Sequence, residues 1–235
     1  MRFPCLLLLI CSIGIVPAFA ADEPTFYEPA EKQLEGWTIK VDPQLLLKEN
    51  EETAAQAFTA LANHLQRVKY IVPKERVAEL QKLPIWIELD GKLGAMQYHP
   101  DRGWLIANMH DPRLAKHIHI PHAKALFDPH TWAKHPYVVL HELSHGYHDQ
   151  VLGFDHAEIK AAYEHAKEKK LYDEVLLYTG KKVKHYGLSN HKEYFAESTE
   201  AYLGVNDFYP FVRAELKEHD PEMYGVLEKI WGPVK

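Results

Sequence analysis

Within this 235-residue chain, His141-Glu142-Leu143-Ser144-His145 sets two imidazoles one helical turn apart with a carboxylate beside the first. On an α-helix, residues i and i+4 lie on one face, so His141 and His145 can reach a single metal ion from the same side. Glu142 then projects toward the adjacent edge, where it can act as a general base on water activated by the metal. The H-E-x-x-H arrangement on a helix points to zinc-dependent hydrolysis, with peptide-bond cleavage as the leading chemistry. The flanks suit a helix. Pro136 precedes an apolar run, Tyr137-Val138-Val139-Leu140, as expected of a helix buried through the middle of a domain.

A catalytic zinc site keeps three protein ligands and one open position. A metzincin would continue to a glycine and a third histidine, but those places hold His148 and Val151, which excludes that subclass. A gluzincin takes a glutamate from a later helix. The stretch Asn190-His191-Lys192-Glu193-Tyr194-Phe195-Ala196-Glu197 offers two, Glu193 and Glu197, on one helical face. The carboxylate that does not bind metal can accept the free ring N–H of a ligand histidine and fix its tautomer and orientation. Asp149, one turn beyond His145, is a candidate for the same task, and thermolysin-like gluzincins carry an aspartate at the matching place.

The longer segment Tyr186-Gly187-Leu188-Ser189-Asn190-His191-Lys192-Glu193-Tyr194-Phe195-Ala196-Glu197 resembles the second motif of the gluzincin family that includes the anthrax lethal factor catalytic domain and the clostridial Pro-Pro endopeptidases. The two motifs together cover Tyr137 to Gly204, about a third of the chain. The resemblance implies Zn²⁺ as cofactor and Glu193 as third ligand, which leaves Glu197, one turn further along, as the carboxylate that accepts from a ligand histidine. It also implies Tyr186 as a phenol that assists Glu142 in catalysis by donating to the oxyanion. A zincin-like α+β fold is expected, with a small mixed sheet and helices above the active helix and a mainly helical lobe below it. The rival reading is a non-catalytic zinc-containing module that binds a peptide or wall component.

These residues need elements to hold them. Trp37 to Val41 alternates as a strand. Pro43 to Tyr70 has apolar positions at three- and four-residue steps, predicting a long helix broken near Asn50, and a shorter helix fits Lys74 to Lys82. Pro84 to Leu89 and Lys116 to Pro121 read as strands. Gly94 to His99 and Gly103 to Asn108, flanking Pro100-Asp101-Arg102, read as a hairpin. Beyond the active helix, Asp155 to Lys169 is predicted helical and Glu174 to Tyr186 holds a hairpin around Thr179-Gly180-Lys181. Asn190 is the N-cap of a helix over His191 to Leu203, and one or two helices close the chain between Tyr209 and Trp231.

Residues 1–20 read as a secretory signal peptide, with Arg2, an apolar core from Leu6 to Val16, and Ala18-Phe19-Ala20 before the cut. That core is too short for a comfortable membrane span, and the bulky Leu9-Ile10 before Cys11 disfavour a lipid anchor. Both cysteines, Cys5 and Cys11, would leave with the leader, so the mature chain relies on its core and a metal rather than on disulfides. A flexible arm over 21–35 and one metallopeptidase-like domain over 36–235 complete the division. The net charge of −6 recommends neither nucleic acid nor an anionic membrane as partner. A secreted or periplasmic monomer acting on a peptide or protein is the expectation.

Two groups receive the plainer reading. His110, His117, His119, His122, His130 and His135 are taken as residues around a polar cleft rather than a second metal site, with His117 and His119 near its edge. Tyr194, Phe195, Tyr202, Phe208, Tyr209 and Phe211 are taken as core.

Overall fold

The computed structural model describes residues 25–234. The leader read over residues 1–20 lies outside them. Among the described residues no helix is long and apolar enough to cross a membrane.

The first strands among the described residues form a hairpin. β1 (Ala30–Leu34) pairs antiparallel with β2 (Trp37–Val41), Leu34 opposite Trp37. The two-residue turn between them needs positive φ at both positions, which Glu35 (54°) and Gly36 (99°) supply. The expected flexible arm over 21–35 is therefore corrected for residues 30–34. The middle of β1 is exposed and carries no apolar alternation, so only its backbone pairing marks it as a strand. Asp42 then opens two 3₁₀ turns that end at Asn50, where the sequence placed a break, and α1 (Glu51–Ile71) follows. Its Ala57, Leu61, Leu65 and Val68 face the core.

After α2 (Lys74–Leu80) come β3 (Ile85–Ile87), β4 (Gln97–Tyr98), α3 (Arg102–Ala107) and β5 (Ile118–Ile120). The sheet order is β1-β2-β3-β5-β4. β2, β3 and β5 run parallel, and β4 is an antiparallel edge strand. The expected hairpin over Gly94 to Asn108 is half right. Its second arm is α3, because the Asp101 carboxylate caps the Gly103 and Trp104 N–H groups and starts a helical turn.

The lower half is helical: α4 (Pro129–Lys134), α5 (Val138–Tyr147), α6 (Ala157–Glu168), α7 (His191–Leu203), α8 (Arg213–His219) and α9 (Pro221–Trp231), with the small hairpin β6 (Val175–Leu176) and β7 (Lys182–Val183) between α6 and α7. Every residue of α5 is buried. It packs on β4 and β5 above and α7 below, and its entry is pinned by Arg67 of α1, which donates to the Pro136 carbonyl and lies over the Tyr137 ring. At Gly146 an added Cβ would come within 2.9 Å of the Leu83 side chain, so the small residue permits the close packing. The architecture is α+β, a mixed five-stranded sheet and a helical half sharing one core across α5.

Candidate metal centre

α5 and α7 lie side by side, and the residues they bring together are the predicted ones. His141 Nε2 is 3.1 Å from His145 Nε2. Glu193 Oε2 is 3.3 Å from each of those nitrogens. Ligand atoms 2.0–2.2 Å from a tetrahedral zinc sit about 3.3–3.6 Å apart, so the three atoms span one face of such a tetrahedron to within a few tenths of an ångström. Glu193 is placed by the start of α7. The Asn190 carboxamide oxygen accepts from the Lys192 and Glu193 N–H groups, capping the helix in its first turn. The burial of Glu193 opposes its charge, but the hydrogen bonds to His141 and His145 outweigh it and hold the carboxyl well below the usual range.

The carboxylate behind His141 is not the expected one. His141 Nδ1 lies 2.7 Å from Glu200 Oε1 and 3.9 Å from Glu197 Oε1. Glu200 takes the role predicted for Glu197, and it also accepts from His135 Nε2 at 2.8 Å. With Nδ1–H donated to Glu200, Nε2 is the nitrogen that His141 turns toward Glu193 and His145; burial opposes a charge on this ring, but the hydrogen bonds to Glu193 and Glu200 outweigh it and raise its pKa. Glu200 is fully buried; burial raises its pKa, and the two histidines more than reverse this. Glu197, 2% exposed, has no such partner: burial pushes its carboxyl up, and Oε2 accepts no hydrogen bond. The sequence signal for Glu200 was its place at i+7 from Glu193, two turns along the same face.

Asp149 does not support a histidine either. From His148 to Leu152 the helix widens into a π-helical turn, which rotates Asp149 off the metal face. Its carboxylate instead accepts from Tyr98 Oη at 2.5 Å and pairs with Lys116, tying the end of α5 to the edge strand β4. That tie matters for Glu142. The Tyr98 N–H, on the side of β4 facing away from β5, donates to Glu142 Oε2 at 2.8 Å. Burial moves the Glu142 carboxyl up, while His141, His145 and the Tyr98 N–H act in the opposite sense.

In front of these residues is a cleft of about 910 Å³. Met96, Gln97 and Tyr98 form its β4 edge, His130, Lys134 and His135 one wall, and Leu177, Tyr186 and Phe208 the other. Tyr186 is half exposed, carried on the 3₁₀ turn Tyr186–Ser189 in which the Gly187 N–H donates to His185 Nδ1. Burial and the nearby Glu193 raise its pKa, so the phenol keeps its proton.

Of the remaining expectations, His117 and His119 do not line this cleft. His119 is buried, bonded to His99 and Glu88 on the far side of the sheet. Among the described residues, the groups of metal-ligating atoms are His141, His145 and Glu193, and the set His135, His141 and Glu200 that shares His141 with it. Tyr194, Phe195 and Tyr202 are buried core as expected, whereas Phe208 borders the cleft. Comparison of the chain with protein-family models, curated proteins and solved structures found no match, so the functional reading stands on this geometry.

Proposed function

We propose that this protein is an exported zinc-dependent endopeptidase with a zincin-like, gluzincin arrangement of the lethal factor type. The observation that carries the reading is the convergence of His141 Nε2, His145 Nε2 and Glu193 Oε2 at tetrahedral spacing on the floor of a cleft. When bound, Zn²⁺ supplies a Lewis acid that polarises a carbonyl and acidifies water.

The chain's own groups account for the rest. Glu142 is buried beside both histidines with one oxygen held by the Tyr98 N–H, which leaves Oε1 to take a proton from the attacking water and pass it to the leaving amine. Tyr186, protonated and at the cleft wall, donates to the oxyanion without competing as a ligand. Glu200 holds His141 in the tautomer that binds metal. The size of the cleft suits a peptide, and β4, the edge strand of the sheet, borders it.

Zinc content and peptide cleavage test the reading separately. The purified mature protein should hold one zinc per chain, and Glu193→Ala should lose it; retention of stoichiometric zinc by that variant would overturn the ligand set. Glu142→Ala should keep zinc and lose cleavage by about 10²–10⁴-fold. Unchanged cleavage would remove Glu142 from the chemistry. Absence of cleavage in the wild type with zinc in place would favour a binding module.

A further inference from the structure

The cleft contains a carboxylate that the chemistry above does not use. Asp207 follows α7 in the loop that closes the far wall, and it is 3% exposed although its side chain lines the cleft. Oδ1 is buried with no hydrogen-bond partner, and among the described residues no hydrogen bond or ion pair reaches either oxygen of this carboxylate. Oδ2 is not buried and opens on the solvent of the cleft, whereas an oxygen buried without a partner, as Oδ1 is, is costly and can be relieved by a donor that comes from elsewhere.

The loop is held in place rather than left to relax. The Asp207 N–H donates to the Asn206 side chain, and the Asp207 carbonyl accepts from the Tyr178 N–H. Phe208 bridges to Leu177, and the Tyr209 N–H donates to the Leu176 carbonyl. The loop is thus strapped to the β6–β7 hairpin, and the carboxylate is presented to the cleft. Burial raises its pKa, while His135, Lys134 and His141 act in the opposite sense.

None of the cleft's own cations neutralises it. His135 is spent on Glu200. Lys192 lies 4.0 Å over the Phe154 ring. Lys134 is exposed on the rim and makes no ion pair among the described residues. Glu197, which lines the same cleft, also has an oxygen without a partner, as does the fully buried Glu200.

We propose that Asp207 is the base of a cation-selecting subsite, and that the peptides this cleft takes carry an arginine or lysine close to the bond to be cleaved. The inference rests on the peptidase reading for what happens after binding, but the subsite is a property of the cleft alone. An arginine head group offers a planar set of donors that can meet both oxygens of Asp207, whereas lysine brings a point charge, so arginine is the better fit.

The test uses a position-scanning peptide mixture with one position fixed in turn as arginine, norleucine or glutamate. Cleavage by the zinc-loaded wild type and retention on the zinc-loaded Glu142→Ala variant are both read by mass spectrometry. At one position the arginine pool should exceed the norleucine pool at least about tenfold, the scale of a buried charge-assisted hydrogen bond. Asp207→Asn should bring that ratio close to one, and Asp207→Lys should shift the preference to glutamate. Asp207→Glu should keep the arginine preference, which separates loss of charge from loss of fold.

A ratio near one in the wild type, or an arginine preference that survives both Asp207→Asn and Asp207→Lys, overturns the subsite. Pools that are cut without regard to Asp207 remove the subsite and leave the peptidase standing. Pools that are not cut, yet are retained through Asp207, remove the peptidase and leave the subsite standing. Neither cleavage nor retention overturns both.

Discussion

Two buried histidine–carboxylate clusters lie on opposite sides of the sheet, and they differ in how their lone pairs are used. In one, His99 Nε2 and His119 Nδ1 are 3.1 Å apart and His119 Nε2 is 3.0 Å from Glu88 Oε2. Neutral rings satisfy that chain: His119 donates to Glu88 and accepts from His99. Tyr27 closes it, donating to the other oxygen of Glu88 while accepting from the Trp86 indole. In the other cluster, His141 donates backward to Glu200, and its Nε2 confronts His145 Nε2 and Glu193 Oε2. Once the two rings give up their Nε2 protons, three acceptors face one another and a metal ion can satisfy all three. A satisfied relay ties a core together, whereas converging lone pairs at the floor of a cleft make a ligand site.

The largest effect should separate the clusters outright. His145→Ala is expected to abolish stoichiometric zinc binding, while His119→Ala should keep one zinc per chain even though it unpairs Glu88 and costs stability. Zinc measured in both purified variants decides it, and loss of zinc from His119→Ala would mean that the relay also holds metal. Next in size is Tyr186→Phe, expected to lower kcat by about 10²–10³ with zinc content unchanged, as for removal of one oxyanion donor. An effect confined to KM would make Tyr186 a contact for substrate only.

Glu200→Gln should be milder. It keeps the shape but replaces the carboxylate behind His141, and outer hydrogen-bond partners of this kind are worth about 10–100-fold in metal affinity or activity. Glu88→Gln, the equivalent change in the relay, should leave zinc affinity where it was. Competition titration against a chelator measures both, and equal effects would erase the distinction between the clusters.

How much of this was legible in the chain depends on how local the signal is. His141, Glu142 and His145 follow from the H-E-x-x-H spacing on a helix, whereas the choice of Glu193 over Glu197 comes from the resemblance, and the Asn190 cap only fixes where α7 begins. Asp149 was misplaced because α-helical spacing does not anticipate a π-helical turn. Glu197 and Glu200 lie on the same face, and only the packing of α7 against α5 chooses between them. α3 was read as a strand because Pro100-Asp101-Arg102 looks like the turn of a hairpin, yet the Asp101 carboxylate caps a helix there. Asp207 carries no spacing signal at all. Its position is set by pairing between a loop and a distant hairpin.

The smallest effect concerns pH. Burial holds His99 at about 3, helped by neighbouring histidines, and holds His64 at about 4. Both values lie below the ordinary histidine pKa of roughly 6.5, so between those limits the unfolded chain binds protons that the native chain refuses. The stabilisation from keeping these rings neutral is complete above about pH 6.5 and is lost as pH falls toward 4. Calorimetry of zinc-free protein between pH 7 and 5 should therefore show a falling Tm, by several degrees. His99→Gln removes the titrating ring from the relay while leaving a group that can hydrogen-bond, so its acid limb should be flatter than that of the wild type by up to about 1 kcal/mol per pH unit. The metal floor should not share this relief, since His141 and His145 must shed protons to bind zinc whatever residue stands at position 99. Parallel acid limbs for wild type and His99→Gln would show that the relay is not a site of proton uptake on unfolding.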